Sequence, residues 1–272
     1  MTEAEVVVAL RAAGCVFAEE EARLLVTTAA SYDELDAMVT RRVSGLPLEH
    51  VVGFVDFCGL RMQVAPGVFV PRRRTELIVE QAIDLMLGGA PGAGPRHGGR
   101  RSVVLDMCCG SGAVGASVAS MLLAQHIDVE LYAVDVDPAA VRCAGANLTP
   151  VGGVALQGDL YCALPASLHG MVDLLVANAP YVPTDAIALM PPEARLHEPR
   201  IALDGGADGL DVQRRVIGAA PRWLSSRGWL LLETSTAQAA GTMAAVGRAG
   251  LRGRIVHDEQ RDATVVIGNR GS

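Results

Sequence analysis

The chain has 272 residues, half of them hydrophobic and 19% charged, with a formal net charge of −7. That composition buries a sizeable core and excludes global disorder, while the acidic balance argues against direct nucleic-acid binding, which needs a positive surface. Six scattered cysteines without ligand spacing, no basic leader and no apolar run of 18 residues suggest a cytoplasmic chain with reduced thiols, no metal and no membrane span.

Residues 1–48 read as a small helical domain. Thr2 with Glu5 and Ser31 with Glu34 match the capping-box spacing that satisfies free amide donors at a helix start. Val6, Leu10 and Ala13 share one helical face, and Leu35, Met38, Val39 and Arg42 continue the pattern until Gly45 and Pro47 stop it. A second region, 49–101, opens on an expected hairpin over 51–64, where alternation breaks at Gly59 and resumes at Leu60, Met62 and Val64. Beyond Pro71, Thr75 is placed to cap a helix burying Ile78, Ala82 and Leu85. Residues 88–101 are mostly glycine and proline, hold little that can pack, and read as a mobile connection.

From 102 to 272 strands and helices alternate. Strands are expected at 103–107, 131–136, 154–157, 174–177 and 229–233. Helices are expected from the glycine turn to about 124, then at 138–147, 213–224 and 237–249. Two last strands, 254–257 and 264–267, lie close enough to pair antiparallel. The pattern predicts a mostly parallel, doubly covered sheet.

Two strand ends carry the chemistry. The first is Leu105-Asp106-Met107-Cys108-Cys109-Gly110-Ser111-Gly112, where glycines after a strand let a ligand approach the backbone and the next helix offers free amides. Gly110, Gly112 and Gly115 satisfy GxGxxG, with Asp135 twenty residues on as a candidate ribose ligand. This loop alone suits the adenosine of either NAD or S-adenosyl-L-methionine. The second is Asn178-Ala179-Pro180-Tyr181. There the Asn178 side-chain oxygen and the Ala179 carbonyl, aimed by the extended bias before Pro180, can each accept one N–H of a planar nitrogen group while Tyr181 packs on its plane. Two acceptors on an amide's hydrogens would localise charge on a poor nucleophile and orient it for methyl transfer. That tetrad favours a methyltransferase over an NAD-dependent oxidoreductase, for which no catalytic His, Lys or Tyr pair is evident. A nucleobase amine or small-molecule amide fits the same corner, and a non-catalytic donor-binding protein is the third alternative.

On these motifs the chain resembles the HemK family of protein-(glutamine-N(5)) methyltransferases. The family's glycine loop falls on Asp106 to Gly112, its ribose acid on Asp135, its adenine-side position on Asp159-Leu160, and its Asn-Pro-Pro-Tyr tetrad on Asn178 to Tyr181. Further matches are Pro71-Arg72 with Thr75-Glu76, His197 to Arg200, Gly205 to Leu210, and Glu233 with Gln238. The resemblance implies a class I S-adenosylmethionine-dependent fold of seven strands with a C-terminal antiparallel strand. It also implies an N-terminal substrate-docking domain over 1–48, a transferase domain over 102–272, and a protein partner, a peptide chain release factor or ribosomal protein. Three positions depart from the family pattern: Cys108 replaces a loop glycine, Ala179 replaces the first proline of the tetrad, and Arg73-Arg74 stand where a proline and an acid are usual. They imply a divergent subgroup.

Overall fold

The computed structural model describes residues 1–88 and 100–270. Three helices open the chain, α1 (Glu3–Ala12), α2 (Ala18–Thr28) and α3 (Tyr32–Val43), followed by a short α4 (Leu48–Val52). Thr2 and Glu5 form the full capping box. Ser31 caps α3, but Glu34 reaches back to the amide of Ala30 instead of Ser31, so the second box is half made. Val6, Leu10, Ala22, Leu25, Leu35 and Val39 close a separate small core. Ala13 is not part of it, because it caps α1 and lies exposed.

The hairpin is shorter than the sequence suggests. Val51 belongs to α4, Gly53 in a left-handed conformation ends that helix, and β1 (Phe54–Phe57) pairs antiparallel with β2 (Leu60–Gln63). A 3-10 turn over Arg73–Thr75 then leads into α5 (Glu76–Met86). Thr75 makes no side-chain cap there, and Met86 rather than half-buried Leu85 completes the buried face with Ile78 and Ala82. Of the glycine-rich stretch, residues 89–99 lie outside the described residues.

The main body alternates strands and helices: β3 (Ser102–Met107), α6 (Ala113–Ala124), β4 (Val129–Asp135), α7 (Pro138–Leu148), β5 (Val154–Gln157) and β6 (Val172–Ala177). After β6 come a short α8 (Pro192–His197), α9 (Asp211–Trp223), β7 (Leu224–Thr234), α10 (Ala239–Arg248), β8 (Arg252–Asp258) and β9 (Ala263–Asn269). The seven strands order as β5-β4-β3-β6-β7-β9-β8, parallel except at β9, which runs antiparallel to both neighbours. Strand β6 reads apolar along most of its length because both sheet faces are covered: Leu174 and Val176 enter one core, Leu175 and Ala177 the other. At the centre the order reverses, with β4 and β5 on one side of β3 and β6 and β7 on the other. That reversal opens a crevice at the carboxyl ends of β3 and β6, the usual ligand position in such sheets. No described helix is long and apolar enough to cross a membrane.

Candidate active site

The crevice is one cavity of about 600 Å³, and both strand-end motifs line it. On the β3 side the loop alternates its backbone sharply: φ is 58° at Cys108, 54° at Gly110 and 75° at Gly112. Asp106 lies beneath this loop, buried, with Oδ2 accepting from the Gly115 amide at 2.8 Å. Burial raises its pKa to about 8. Gly115 must be small for that bond, since a Cβ there would sit 3.0 Å from Asp106 Oδ2. Asp135 ends β4 with Oδ2 accepting from Gly110 N at 2.8 Å and Oδ1 from Asp137 N at 2.9 Å. Burial raises its pKa, while those amides hold it down. Asp159 and Leu160 reach the same cavity, the exposed Asp159 pairing with Arg215 at 2.7 Å and Leu160 carrying a φ of 50°. Cys109 is buried, and burial raises the Cys108 and Cys109 thiols, so neither is an activated nucleophile.

On the β6 side Asn178 donates from Nδ2 to Thr75 Oγ1 at 3.4 Å, and among the described residues Oδ1 has no partner. Ala179 is buried, and Pro180 and Tyr181 line the cavity. The Tyr181 hydroxyl donates to Glu233 Oε1 at 3.3 Å, and Arg74 Nε lies 3.4 Å from the same oxygen. Glu233 lies within β7's buried run at 2% exposure; burial raises its pKa, opposed by Thr75, Arg74 and Tyr181. The chain beyond the tetrad is pinned from three sides. Gln238 Nε2 donates to the Tyr181 carbonyl at 2.8 Å, Val182 N donates to Leu203 O, and Gly205 N donates to Val182 O. Gly209, at a φ of 75°, must lack a side chain, because a Cβ would meet the Tyr181 carbonyl at 2.3 Å.

A third wall was not anticipated from sequence. Residues 190–203, including α8, cover the cavity and are tied by buried Glu198, which takes the guanidinium of Arg72 and the Val70 amide. Arg42 of α3 bonds Glu21 at 2.6 Å and approaches Glu193 at 3.7 Å, so the N-terminal helices abut this wall. Thr75, Glu198 and Glu233 had been marked by the family resemblance but given no place in a site. Phe69 and Arg215 carried no motif signal.

A doubly wound seven-stranded sheet with this loop and tetrad on one crevice defines a class I methyltransferase fold. The catalytic domain of hMettl16 in complex with an RNA hairpin has that fold, at a TM-score of 0.57 and 11% identity over 86% of this chain and 82% of that one. So does a methyltransferase from Pyrococcus furiosus, at 0.52 and 12% over 89% and 100%. The methyltransferase small domain family matches residues 95–245. The chain is 34% identical to the release factor glutamine methyltransferase of Geobacter sulfurreducens over 235 residues, 86% of this chain and 76% of that protein. It is 36% identical to the same-named protein of Gloeobacter violaceus, over 77% and 69%. It is also 36% identical to a 4-amino-L-phenylalanine/4-methylamino-L-phenylalanine methyltransferase of Streptomyces pristinaespiralis, over 76% and 67%. The chain belongs to the family of release factor glutamine methyltransferases.

Proposed function

We propose that the chain methylates a side-chain amide nitrogen of a glutamine on a protein, a peptide chain release factor, using S-adenosyl-L-methionine. The observation that carries this reading is that the β3 loop and the Asn178 corner line one cavity of about 600 Å³. The residues fit such a donor. Gly110, at a φ of 54°, has only the Phe69 Cβ 4.0 Å from where its own Cβ would stand, and Asp135 sets a carboxylate at the next strand end. In this reading the backbone of Cys108, Cys109, Gly110, Ser111 and Gly112 cradles the methionine part, above the brace of Asp106. Asp135 holds the ribose, and Asp159 and Leu160 border the adenine. The bound donor supplies an electrophilic methyl on a cationic sulfur.

Asn178 Oδ1 and the Ala179 carbonyl each take one hydrogen of the acceptor nitrogen, Pro180 stiffens the corner, and Tyr181 packs on the amide plane. That grip turns a delocalised nitrogen toward the methyl and stabilises the positive charge it gains. The product nitrogen then loses its proton to water, so no strong base is required. Residues 1–48 act as the docking domain for the protein substrate, 49–101 as the connecting region, and 102–272 as the transferase domain. The reading carries a cytoplasmic location, and it carries no direct nucleic-acid contact, which the net charge of −7 supports.

A second acceptor class, a small amino acid, has specific support: the Streptomyces pristinaespiralis relative is named for one, and Arg72 and Arg74 line this cavity. Both are already paired, with Glu198 and Glu233, and each guanidinium keeps further N–H groups that suit a free carboxylate. Incubation with methyl-labelled donor, offering purified release factors in one arm and 4-amino-L-phenylalanine in the other, followed by mass spectrometry, tests both. Label on a release-factor glutamine supports the first reading. Label on the amino acid alone replaces it with the second.

A further inference from the structure

Asn178 serves an N–H acceptor role only if its amide presents oxygen to the cavity, yet the two ends of a carboxamide are nearly the same size and shape. Something has to choose between them. The partner of Asn178 is Thr75, buried at 2% exposure, whose hydroxyl has one proton and two lone pairs. Behind it lies Glu233, whose Oε1 is taken by Tyr181 at 3.3 Å and Arg74 at 3.4 Å. Glu233 Oε2 is buried without a hydrogen-bond partner among the described residues, and the Thr75 hydroxyl stands close enough to hold the carboxyl's pKa down. A hydroxyl rotor turned to this oxygen satisfies it, and then offers Asn178 only a lone pair.

We propose that Thr75 and Glu233 are positioning residues that fix which end of the Asn178 carboxamide faces the acceptor. With the Thr75 proton committed to the carboxylate, the amide must turn its NH2 group inward and leave Oδ1 for the cavity. The inference rests on the reading of Asn178 as the acceptor's ligand. It has a pH signature. Among the described residues, the titratable groups that bear on Glu233 are Arg74, from the turn before α5, and Tyr181, from the tetrad. From α9 only the neutral Gln213 reaches it, donating to its backbone carbonyl. Burial favours the protonated carboxyl. A proton on Glu233 removes the pull on the Thr75 hydroxyl, which can then donate to the Asn178 oxygen and turn the amide the wrong way round.

The test compares Thr75→Val, Thr75→Ser, Glu233→Gln and Asn178→Ala at saturating labelled donor. The acceptor is whichever of the two in the preceding experiment the unaltered chain methylates. Thr75→Val is expected to lower kcat about tenfold, the scale of one lost hydrogen bond, with Thr75→Ser near the unaltered rate. S-adenosylhomocysteine affinity by calorimetry should be unchanged in both, which also shows that the fold is intact. The unaltered enzyme should lose kcat toward acid pH, and Glu233→Gln and Thr75→Val should each flatten that limb. Thr75→Val at the unaltered kcat beside an inactive Asn178→Ala overturns this inference alone. Thr75→Ser as impaired as Thr75→Val reduces Thr75 to a packing residue and overturns it too. An active Asn178→Ala overturns the acceptor reading beneath it.

Discussion

Strands β3 and β6 lie side by side and end level, Met107 beside Ala177, yet the two corners they carry are built differently. The donor corner is mostly backbone: a loop of alternating left-handed residues, one buried carboxylate beneath and one carboxylate across. The acceptor corner is mostly side chain, with Asn178 bonded to Thr75, and Tyr181 bonded to Glu233 and, at its carbonyl, to Gln238. Backbone contacts tolerate side-chain change so long as the conformation survives. A side-chain network fails when any one member is lost. The donor corner should therefore respond to changes in φ and space, and the acceptor corner to loss of single polar atoms.

The largest separation between the corners should come from Asn178→Ala. Losing an oriented acceptor at the reacting nitrogen is expected to cut turnover by about 100-fold or more, the scale seen when one preorganised polar group is removed. S-adenosylhomocysteine affinity by calorimetry should stay within about threefold, because no backbone of the β3 loop is touched. Turnover near that of the unaltered chain would remove Asn178 from the chemistry. The reverse pattern is expected for Gly112→Ala. Residue 112 has a φ of 75°, and a Cβ would meet Leu148 Cδ1 at 2.4 Å and the Ala144 backbone at 3.1 Å. Backbone strain and overpacking together should cost about 2–5 kcal/mol of stability and weaken donor binding with it. A thermal melt and donor titration check both.

This contrast also explains what the sequence revealed. The donor loop is contiguous, so Asp106 to Gly112 and distant Asp135 were legible as a motif on a strand–turn–helix. Alternation also placed all seven strands and the antiparallel end. The tetrad was legible for the same reason. What holds it in place was not: Thr75 reads as a helix cap, and only the fold turns its hydroxyl toward Asn178. The wall over 190–203 has no periodicity long enough to announce itself, being one short helix between 3-10 turns. Val51 followed the apolar pattern of a strand, but the left-handed Gly53 ended a helix there first.

A smaller effect should appear in the pH dependence of stability. Asp106 is fully buried, with a folded-state pKa near 8 against an ordinary value of 3.8. Between those values the folded chain holds a proton that the unfolded chain has released, so this group's contribution falls as pH rises from about 4 to 8. Asp106→Asn keeps an oxygen for the Gly115 amide and cannot ionise. Its melting temperature should gain on the unaltered chain as pH is raised from 5 to 8. Parallel melting curves across that range would mean that the Gly115 bond holds Asp106 ionised throughout.

The smallest effect, and the most direct probe of a backbone-built corner, belongs to Cys108→Gly. Cys108 sits at a φ of 58°, where a side chain costs about 1–2 kcal/mol. Glycine removes that strain but adds about 0.5–1 kcal/mol of unfolded-state entropy. The Cys108 side chain also packs against the core on that sheet face, and glycine gives up those contacts. The sum is close to zero, with a gain of at most about 1 kcal/mol in chemical denaturation. Donor affinity should hold within about threefold, since the loop amides keep their places. A loss above about 1 kcal/mol would show that the packing of this cysteine outweighs its strain. The donor corner would then depend on a side chain after all, and the contrast with the acceptor corner would narrow at that residue.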